Sequence, residues 1–400
     1  MDVVINPCRL YGTAQAPPSK SYAHRALICA ALAGSGTVKG IEYSSDISAT
    51  LDCIKALGAH IEENGDTVKI LSRSGTAGEP VFNCRESGST LRFFIPVAAA
   101  LLDGAVFTGT PRLVERGIGI YENLFLQKEI KIEKSDTEIK ITGRLTGGEY
   151  EIAGDISSQF ATGLLLALPL VEGDSVLKIT PPVESRPYID ITLDVLKKYG
   201  VEIIEKEKNI FYIKGGQKYG ETEMTVPGDW SNAAALLAFN CVGGKVAVTG
   251  LDENSVQGDR FCVEAFGMLE EENAVIDLSD CPDLAPVLFA VAAAKNGAVF
   301  TGTRRLAIKE SDRASAMAEE LEKFGVRTEV NENSVRIYDC PLKTPGQVLS
   351  CHNDHRIVMA LTLLASVTGG RISGAQAIEK SFPRYFETLG TLSAEVRIET

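Results

Sequence analysis

One phrase recurs six times along the 400 residues, and this repetition constrains the fold more than any other feature. Each copy reads as an apolar helix, a glycine-containing turn, a short strand, a polar loop, a second helix and another short strand. The strand portions are GTVKG (36–40), GAVFTG (104–109), DSVLKIT (174–180), GKVAVTG (244–250), GAVFTG (297–302) and GRISG (370–374). They start 68, 70, 70, 53 and 73 residues apart, so six units nearly fill the chain. The pattern predicts an α/β protein built from repeated helix–strand units.

The same repetition predicts two domains of three units each, because 400 residues exceed what one hydrophobic core usually serves. Proline and glycine interrupt the pattern at TAQAPPSK (13–20) and at TVPGDW (225–230). The first dozen residues read as strand but precede the first helix, so we expect them to complete the C-terminal half. One domain should therefore contain residues 1–14 plus 228–400, and the other residues 15–227.

Composition excludes several classes of protein. An apolar fraction of 44% with 23% charged residues is typical of a globular chain, and the best candidate for a membrane span, ATGLLLALPLV (161–171), is too short to cross a bilayer. The N-terminus, MDVVINPCRL, lacks the features of a secretory signal. Nine cysteines stand singly without a Cys-x-x-Cys pair, which predicts reduced thiols, a cytoplasmic location and no metal site. A net charge of −13 argues against a nucleic-acid partner but not against small anions.

Polar segments precede the apolar helices: PSKSYAHR (18–25), ESGSTLR (86–92), SSQF (157–160), GDWSN (228–232), CPDL (281–284) and HNDHR (352–356). Capping of helix N-termini explains their serines and aspartates. It does not explain the cations Lys20, Arg25, Arg92 and Arg356, which the helix dipole disfavours at such positions. Because helix N-termini bind phosphate and carboxylate groups, three converging helices in each half would form a positive bowl. Two facing bowls would close around a small ligand that carries several negative charges.

Eight separated motifs resemble those of the 5-enolpyruvylshikimate-3-phosphate synthases, in the family's order and approximate spacing. They are PPSKSYAHRAL, ESGSTLR, SSQF, SRPYIDIT, PDLAP, KESDR, DHR and EKSFPRYFETL, and they cover essentially the whole chain. The resemblance implies a two-domain inside-out α/β barrel, with three repeated helix–strand units around buried parallel helices in each domain and the active site in the interdomain cleft.

The resemblance also implies a reaction on the route to chorismate and the aromatic amino acids. The enolpyruvyl group of phosphoenolpyruvate would pass to the 5-hydroxyl of shikimate 3-phosphate through a tetrahedral intermediate, with release of phosphate. It implies no metal and no organic cofactor, and we expect a monomer whose partners are the two substrates.

Roles follow from the matching motifs, residue by residue. The residues that resemble contacts of shikimate 3-phosphate are Lys20, Ser21, Arg25, Ser157, Ser158, Gln159, Ser185, Tyr188, Asp283 and Lys309. Those that resemble contacts of phosphoenolpyruvate are Lys20, Gly88, Arg116, Gln159, Arg313, Arg356 and Lys380. The expected catalytic residues are Lys20, Asp283, which would take the hydroxyl proton, and Glu310, which would exchange a proton with the methylene carbon. Asp312 is left to cap its helix.

Two positions depart from the family pattern. Arg305 stands where well-known members often have asparagine, and Glu86 lies near an expected anion site. Gly88, where some members have alanine, predicts sensitivity to glyphosate.

Two alternative functions are a UDP-N-acetylglucosamine enolpyruvyl transferase and a non-catalytic protein that binds phosphorylated metabolites. The sister transferase carries a loop cysteine that is absent from GTPRLVERGIGI (109–120), and the acid–base residues that a binding protein would not need are all present.

Overall fold

The recurring phrase folds as a strand, a buried helix, a second strand parallel to the first, an outer helix and a β-hairpin. The computed structural model describes residues 1–76 and 78–399. The chain divides into two units, which we call the N-half unit (residues 18–227) and the C-half unit (residues 1–17 with residues 228 onward). Each unit has its own hydrophobic core.

The elements follow one another along the chain as follows. The first two strands, which belong to the C-half unit, are β1 (Asp2–Ile5) and β2 (Tyr11–Gln15). The helices of the N-half unit are α1 (Lys20–Ala33), α2 (Ser45–Ala56), α3 (Gly88–Leu101), α4 (Pro111–Glu115), α5 (Gly119–Gln127), α6 (Ser158–Ala167) and α7 (Arg186–Lys198). Its strands are β3 (Gly36–Lys39), β4 (Ala59–Asn64), β5 (Thr67–Arg73), β6 (Val81–Asn83), β7 (Gly104–Thr108), β8 (Lys131–Lys134), β9 (Glu138–Thr142), β10 (Gly148–Ala153), β11 (Ser175–Thr180), β12 (Ile203–Glu207), β13 (Ile210–Ile213) and β14 (Glu223–Thr225).

The remaining elements belong to the C-half unit. Its helices are α8 (Trp230–Leu237), α9 (Cys262–Met268), α10 (Ala285–Ala294), α11 (Arg313–Lys323), α12 (His355–Thr368) and α13 (Tyr385–Thr391). Its further strands are β15 (Lys245–Thr249), β16 (Val275–Asp277), β17 (Ala298–Thr301), β18 (Thr328–Asn331), β19 (Ser334–Ile337), β20 (Leu349–Ser350), β21 (Gly370–Ser373) and β22 (Val396–Glu399).

Five of the sheets have four strands and share one pairing pattern. Their orders are β14-β3-β5-β4, β6-β7-β9-β8, β10-β11-β13-β12, β16-β17-β19-β18 and β20-β21-β1-β22. In each, the first pair is parallel and the other two pairs are antiparallel. The sixth sheet has only β15 and β2. It belongs to the repeat with the 53-residue spacing, in which no hairpin follows the strand.

The strands next to the two connections between the units do not follow the pairing of the regular repeats. In the regular repeats, the strand before a buried helix pairs with the strand after it, as β6 and β7 do around α3. By that rule β2 would pair with β3, and β14 would pair with β15. Instead β2 pairs with β15 and β14 pairs with β3. The ladder from β2 continues through the Ala16 amide, which donates to the Thr249 carbonyl at 2.8 Å, so residues as far as Pro17 stay with the C-half unit.

The buried helices are apolar on every face, as expected for helices that neighbours surround. Close packing of α3 against α6 depends on Gly163, because a Cβ there would overlap the Tyr121 hydroxyl and the Arg92 carbonyl. That hydroxyl lies within hydrogen-bonding distance of both the Arg92 carbonyl (2.8 Å) and the Phe160 carbonyl (3.0 Å), which share its one proton. One tyrosine therefore joins the two helices whose first turns carry predicted site residues.

The alternation of helices and sheets confirms the α/β class that the repeats predict. No closed barrel occurs among the described strands, which form six separate sheets. All nine cysteines are free thiols. Within the described residues, no helix combines the length and apolarity that a membrane span requires.

Candidate active site

The first turns of α1, α3 and α6 carry predicted site residues of the N-half unit. Ser87 and Ser157 cap α3 and α6 by accepting hydrogen bonds from backbone amides, whereas the Ser19 side chain makes no such bond at α1. Lys20 begins α1, and its ammonium donates to Asp46 Oδ2 at 2.8 Å. Both side chains are largely buried, at 18% and 14% exposure, so Asp46 holds the lysine in one place.

Arg25 ties three helices of this unit together. Its guanidinium donates to Thr192 Oγ1 at 2.8 Å, to the Ser21 carbonyl at 2.7 Å, to Thr162 Oγ1 at 3.1 Å and to the Tyr188 carbonyl at 3.0 Å. Burial lowers the pKa of Arg25 to about 10, which still leaves it a cation at neutral pH. Four of its five N–H groups are used within the unit. The geometry therefore gives Arg25 mainly an organising role beside Ser21 and Tyr188.

A second arginine, Arg92, organises the start of α3. It donates to Gln159 Oε1 at 2.5 Å, and Gln159 in turn donates to Ser89 Oγ at 2.9 Å. The Arg116 guanidinium lies beside Gly88, since a Cβ built on that glycine would come 3.4 Å from nitrogens of both Arg116 and Arg92. Two guanidinium groups thus face the N-terminus of α3, whose free N–H groups also attract anions.

The remaining predicted residues of this unit lie at two helix starts. Ser157 and Ser158 begin α6, and Ser158 is buried. Ser185 precedes α7 in a left-handed conformation with φ 58°, which is uncommon for a residue with a Cβ. Its carbonyl accepts a hydrogen bond from the Tyr188 amide at 3.1 Å. Such local strain is typical of functional sites.

In the C-half unit, one arginine joins three carboxylates. Arg313, at 1% exposure, donates to Asp283 at 2.7 Å, to Asp354 at 2.8 Å and to Glu310 at 2.9 Å. The Lys309 ammonium lies 3.1 Å from the same Asp283 oxygen. Although burial lowers the pKa of Arg313, the three carboxylates raise it well above its ordinary value overall. This is a compact set of two cations and three anions, in which Arg313 and Asp354 are buried and the other three side chains are partly exposed.

The same set controls the protonation of its members. Burial alone would raise the pKa of Asp283, but Lys309, Arg313 and Arg356 bring it well below its ordinary value. Burial lowers the pKa of Lys309, and the neighbouring carboxylates offset only part of that effect. Asp283 is therefore a carboxylate at neutral pH, and Lys309 releases its proton more easily than a surface lysine does.

Two further cations of this unit are also held by hydrogen bonds. Arg356 donates to Asn232 Oδ1 at 3.0 Å, and its amide donates to Asp354 Oδ1 at 2.9 Å. The Lys380 ammonium donates to the Asn353 carbonyl at 2.8 Å. Asp354 therefore contacts Arg313 with both oxygens, at 2.8 Å and 3.4 Å, and caps the start of α12 with Oδ1.

The two positions that depart from the family pattern differ in burial. Arg305 is buried and donates to the Ser279 carbonyl at 2.9 Å. Glu86 is exposed. The capping role expected for Asp312 is confirmed, because it accepts from the Ser315 amide at 3.2 Å at the start of α11.

Several contacts of the site had not been predicted. Arg92 had been noted only as a cation near a helix start, and Asp46, Asn232 and Asp354 had no assigned role. Three of these side chains lie inside the polar segments that precede the buried helices, so the segments themselves were the available signal. Asp46 lies on a different helix, and only the fold brings it to Lys20.

One group in the described part of the chain has a ligand set for a metal ion: Glu319, Glu320 and His352, whose ligand atoms lie within 4.8 Å of one another. The Lys323 ammonium already lies 2.7 Å from Glu320 Oε1. Because this ammonium already supplies the positive charge that a metal ion would bring to Glu320, we assign no metal to this group.

The chain combines a two-unit α/β fold with guanidinium groups at helix N-termini and carboxylates beside a lysine. These features define an enzyme that binds small anions and moves protons. The family model described as EPSP synthase (3-phosphoshikimate 1-carboxyvinyltransferase) matches residues 4–389. The chain belongs to this family. It is thus a transferase of the shikimate pathway that acts in enolpyruvyl transfer, as the motifs predicted.

Individual relatives agree with this assignment. The chain is 40% identical to the 3-phosphoshikimate 1-carboxyvinyltransferase of Clostridium kluyveri, with 98% of each chain covered, and 40% identical to that of Clostridium acetobutylicum with the same coverage. The solved structure of EPSP synthase from Acinetobacter baumannii superposes with a TM-score of 0.80 at 24% identity, covering 99% of this chain and 100% of the other. That similarity supports the two-domain α/β fold.

Proposed function

We propose that the chain transfers the enolpyruvyl group of phosphoenolpyruvate to the 5-hydroxyl of shikimate 3-phosphate with Asp283 and Glu310 as its proton-transferring residues. The observation that carries the residue roles is the set around the buried Arg313, in which two candidate proton-transferring carboxylates share one guanidinium. The reaction needs protons to move in two directions, and two carboxylates beside a lysine can serve both.

Asp283 is the proposed acceptor of the hydroxyl proton. A base must be ionised before the reaction, and the cations around Asp283 keep it so. The same cations make it a weak base in the free enzyme. When anionic substrates bind Lys309, Arg313 and Arg356, they offset part of this positive charge, so the basicity of Asp283 rises once both substrates are present.

Glu310 is the proposed partner of the methylene carbon. Its carboxylate contacts Arg313 at 2.9 Å and is 24% exposed, so it is both oriented and accessible. In its protonated form Glu310 would donate a proton to the carbon as the tetrahedral intermediate forms, and the resulting carboxylate would take one back from the methyl group as phosphate leaves. The proton that Asp283 accepts from the hydroxyl would pass to the leaving phosphate, so that both carboxyl groups return to their starting states. The separation of Glu310 from Asp283 by one guanidinium allows the two proton transfers to use different groups.

The anion-binding roles rest on the cations already described. We propose that Gly88, Arg116, Gln159, Arg313, Arg356 and Lys380 bind phosphoenolpyruvate, and that Ser21, Arg25, Ser157, Ser158, Ser185, Tyr188 and Lys309 bind shikimate 3-phosphate, with Lys20 near both. Arginine suits the carboxylate and phosphate groups because its planar fork pairs with two oxygens at once. The protein would act as a cytoplasmic monomer, a location that its free thiols support.

The test measures inorganic phosphate released from phosphoenolpyruvate by the purified protein. Release should require both substrates, and omission of shikimate 3-phosphate should abolish it. UDP-N-acetylglucosamine should not replace shikimate 3-phosphate as the acceptor. Binding of both substrates without phosphate release would contradict the proposed function and favour a binding protein.

A further inference from the structure

A buried carboxylate outside the proposed catalytic set organises the turn before α12. Glu320 lies on α11 with its side chain at 0% exposure. One of its oxygens accepts from the Lys323 ammonium at 2.7 Å and lies 3.0 Å from His352 Nε2, and the other accepts from the Ser350 amide at 3.0 Å. His352 lies in the turn and Ser350 is the last residue of β20 just before it, so Glu320 fastens this segment to α11.

The turn itself has an unusual backbone. His352 and Asn353 have φ angles of 50° and 55°, so two successive residues with side chains occupy the left-handed region. Residues other than glycine rarely adopt this conformation, and it persists where surrounding contacts impose it. The contacts that impose it here include the Glu320 bonds, a hydrogen bond from the His352 amide to Ser350 Oγ at 3.2 Å and one from the Asp354 amide to the Cys351 carbonyl at 2.9 Å.

The strained residues lead directly to the proposed phosphoenolpyruvate contacts. The Asn353 carbonyl accepts the Lys380 ammonium at 2.8 Å. The next residue, Asp354, accepts from Arg313 and caps the helix that begins with His355 and Arg356. A change in the backbone at residues 352 and 353 would therefore move the partners of all three cations.

We propose that Glu320 and His352 are positioning residues, which hold the turn 351–354 so that Lys380, Arg313 and Arg356 are aligned for phosphoenolpyruvate. The inference rests on the proposed function, because it takes those three cations as the phosphoenolpyruvate contacts. Neither Glu320 nor His352 belongs to the set that contacts the reacting atoms.

The arrangement also makes the strength of the bond between His352 and Glu320, and with it the alignment of the phosphoenolpyruvate contacts, depend on pH. The hydrogen bond to Glu320 raises the pKa of His352, burial lowers it, and the nearby charges of Glu319 and Lys323 act on it in opposite directions. These three titratable groups all lie on α11. Since its pKa in the folded state is raised, the bond is strongest below the ordinary histidine pKa of about 6.5 and weakens as pH rises through the raised value. Neutral imidazole can still donate, but a charge-assisted bond is about twice as strong.

The experiment compares steady-state kinetics of His352→Ala, His352→Gln and Glu320→Gln with the unmodified enzyme, varying each substrate in turn between pH 6 and pH 9. His352→Ala and Glu320→Gln should raise KM for phosphoenolpyruvate about tenfold, as expected for loss of a bond to a charged group, and leave KM for shikimate 3-phosphate within about twofold. His352→Gln retains an N–H donor and should restore a low KM for phosphoenolpyruvate while removing the pH dependence that the histidine contributes. His60→Gln, at an exposed histidine of the N-half unit, is the matched control and should match the unmodified enzyme throughout.

The outcomes separate this inference from the proposed function. If His352→Ala and Glu320→Gln lower only the unfolding temperature and leave both KM values unchanged, the two residues are merely structural and the inference is wrong. His352 is partly exposed, so its variants keep the test available if Glu320→Gln does not fold. An unmodified enzyme that releases no phosphate would refute the proposed function, and the positioning inference with it.

Discussion

Replacing Arg313 by methionine should destabilise the C-half unit far more than loss of an exposed arginine that also pairs with carboxylates. The variant removes the guanidinium but keeps a long side chain. Asp283 retains Lys309, whereas Asp354, at 0% exposure, loses the guanidinium and retains the Ser311 hydroxyl and the Arg356 amide, with the His355 imidazole 3.8 Å away. Breaking a buried ion pair by removing one member costs about 3–5 kcal/mol, and we expect Arg313→Met to lie in this range.

The single tryptophan gives an assay confined to this unit. Trp230 begins α8 and is buried at 5% exposure, so its fluorescence during urea unfolding reports on the C-half unit. The matched control is Arg371→Met. Arg371 also contacts two carboxylates, Asp2 at 2.8 Å and Glu399 at 3.1 Å, but it is 48% exposed. Its loss should shift the urea midpoint little, because solvent and salt screen exposed pairs.

The pH dependence of the destabilisation has a definite sign. The pKa of Asp283 is held below its ordinary value of about 3.9, so its contribution to stability is present above that pH and is lost as pH falls through the folded-state pKa. Without Arg313 the carboxylates protonate more readily, so the difference between Arg313→Met and the unmodified protein should shrink from pH 7 toward pH 4. Adding Asp354→Asn, which removes the uncompensated charge and keeps a good helix cap, should recover a large part of the loss. Equal midpoint shifts for Arg313→Met and Arg371→Met would refute the reasoning.

Three other changes test the site and the packing. Glu310→Ala should lower turnover by about 10²–10⁴-fold with shikimate 3-phosphate binding retained in calorimetry, and lost binding would instead assign Glu310 a structural role. Gly88→Ala should fold normally, because its Cβ would meet guanidinium nitrogens at an ordinary contact distance of 3.4 Å. We expect glyphosate to inhibit the unmodified enzyme, and Gly88→Ala should weaken this inhibition. Resistance of the purified unmodified enzyme to glyphosate would contradict the prediction. Gly163→Ala should lower the free energy of unfolding of the N-half unit by about 1–3 kcal/mol, because its Cβ would overlap the Arg92 carbonyl. Unfolding followed by circular dichroism measures this change. An unchanged unfolding transition would show that α3 and α6 separate easily.

Local patterns predicted much of this protein, because helix and strand periodicity depends on neighbouring residues. The recurring glycine-flanked strands correspond to β3, β7, β11, β15, β17 and β21, and the polar segments lie at the starts of the buried helices. The short 53-residue spacing marked the repeat that lacks a hairpin. The motifs also carried the family assignment and the reaction, since they are short, separated and in register with those of the family.

Tertiary structure decided which distant groups meet. The local sequences of β2 and β14 do not indicate which strand each of them pairs with. The pairing of β2 with β15, and of β14 with β3, depends on the path of the whole chain. The motifs likewise presented Arg25 and Arg313 as similar ligand-binding cations. In the fold, Arg25 faces hydroxyls and carbonyls, which fix its position, whereas Arg313 faces three carboxylates, which bring two candidate proton carriers together. The sequence determined where cations and carboxylates stand along the chain, and packing determined their pairing, because the partners of a buried charge come from segments far apart in sequence.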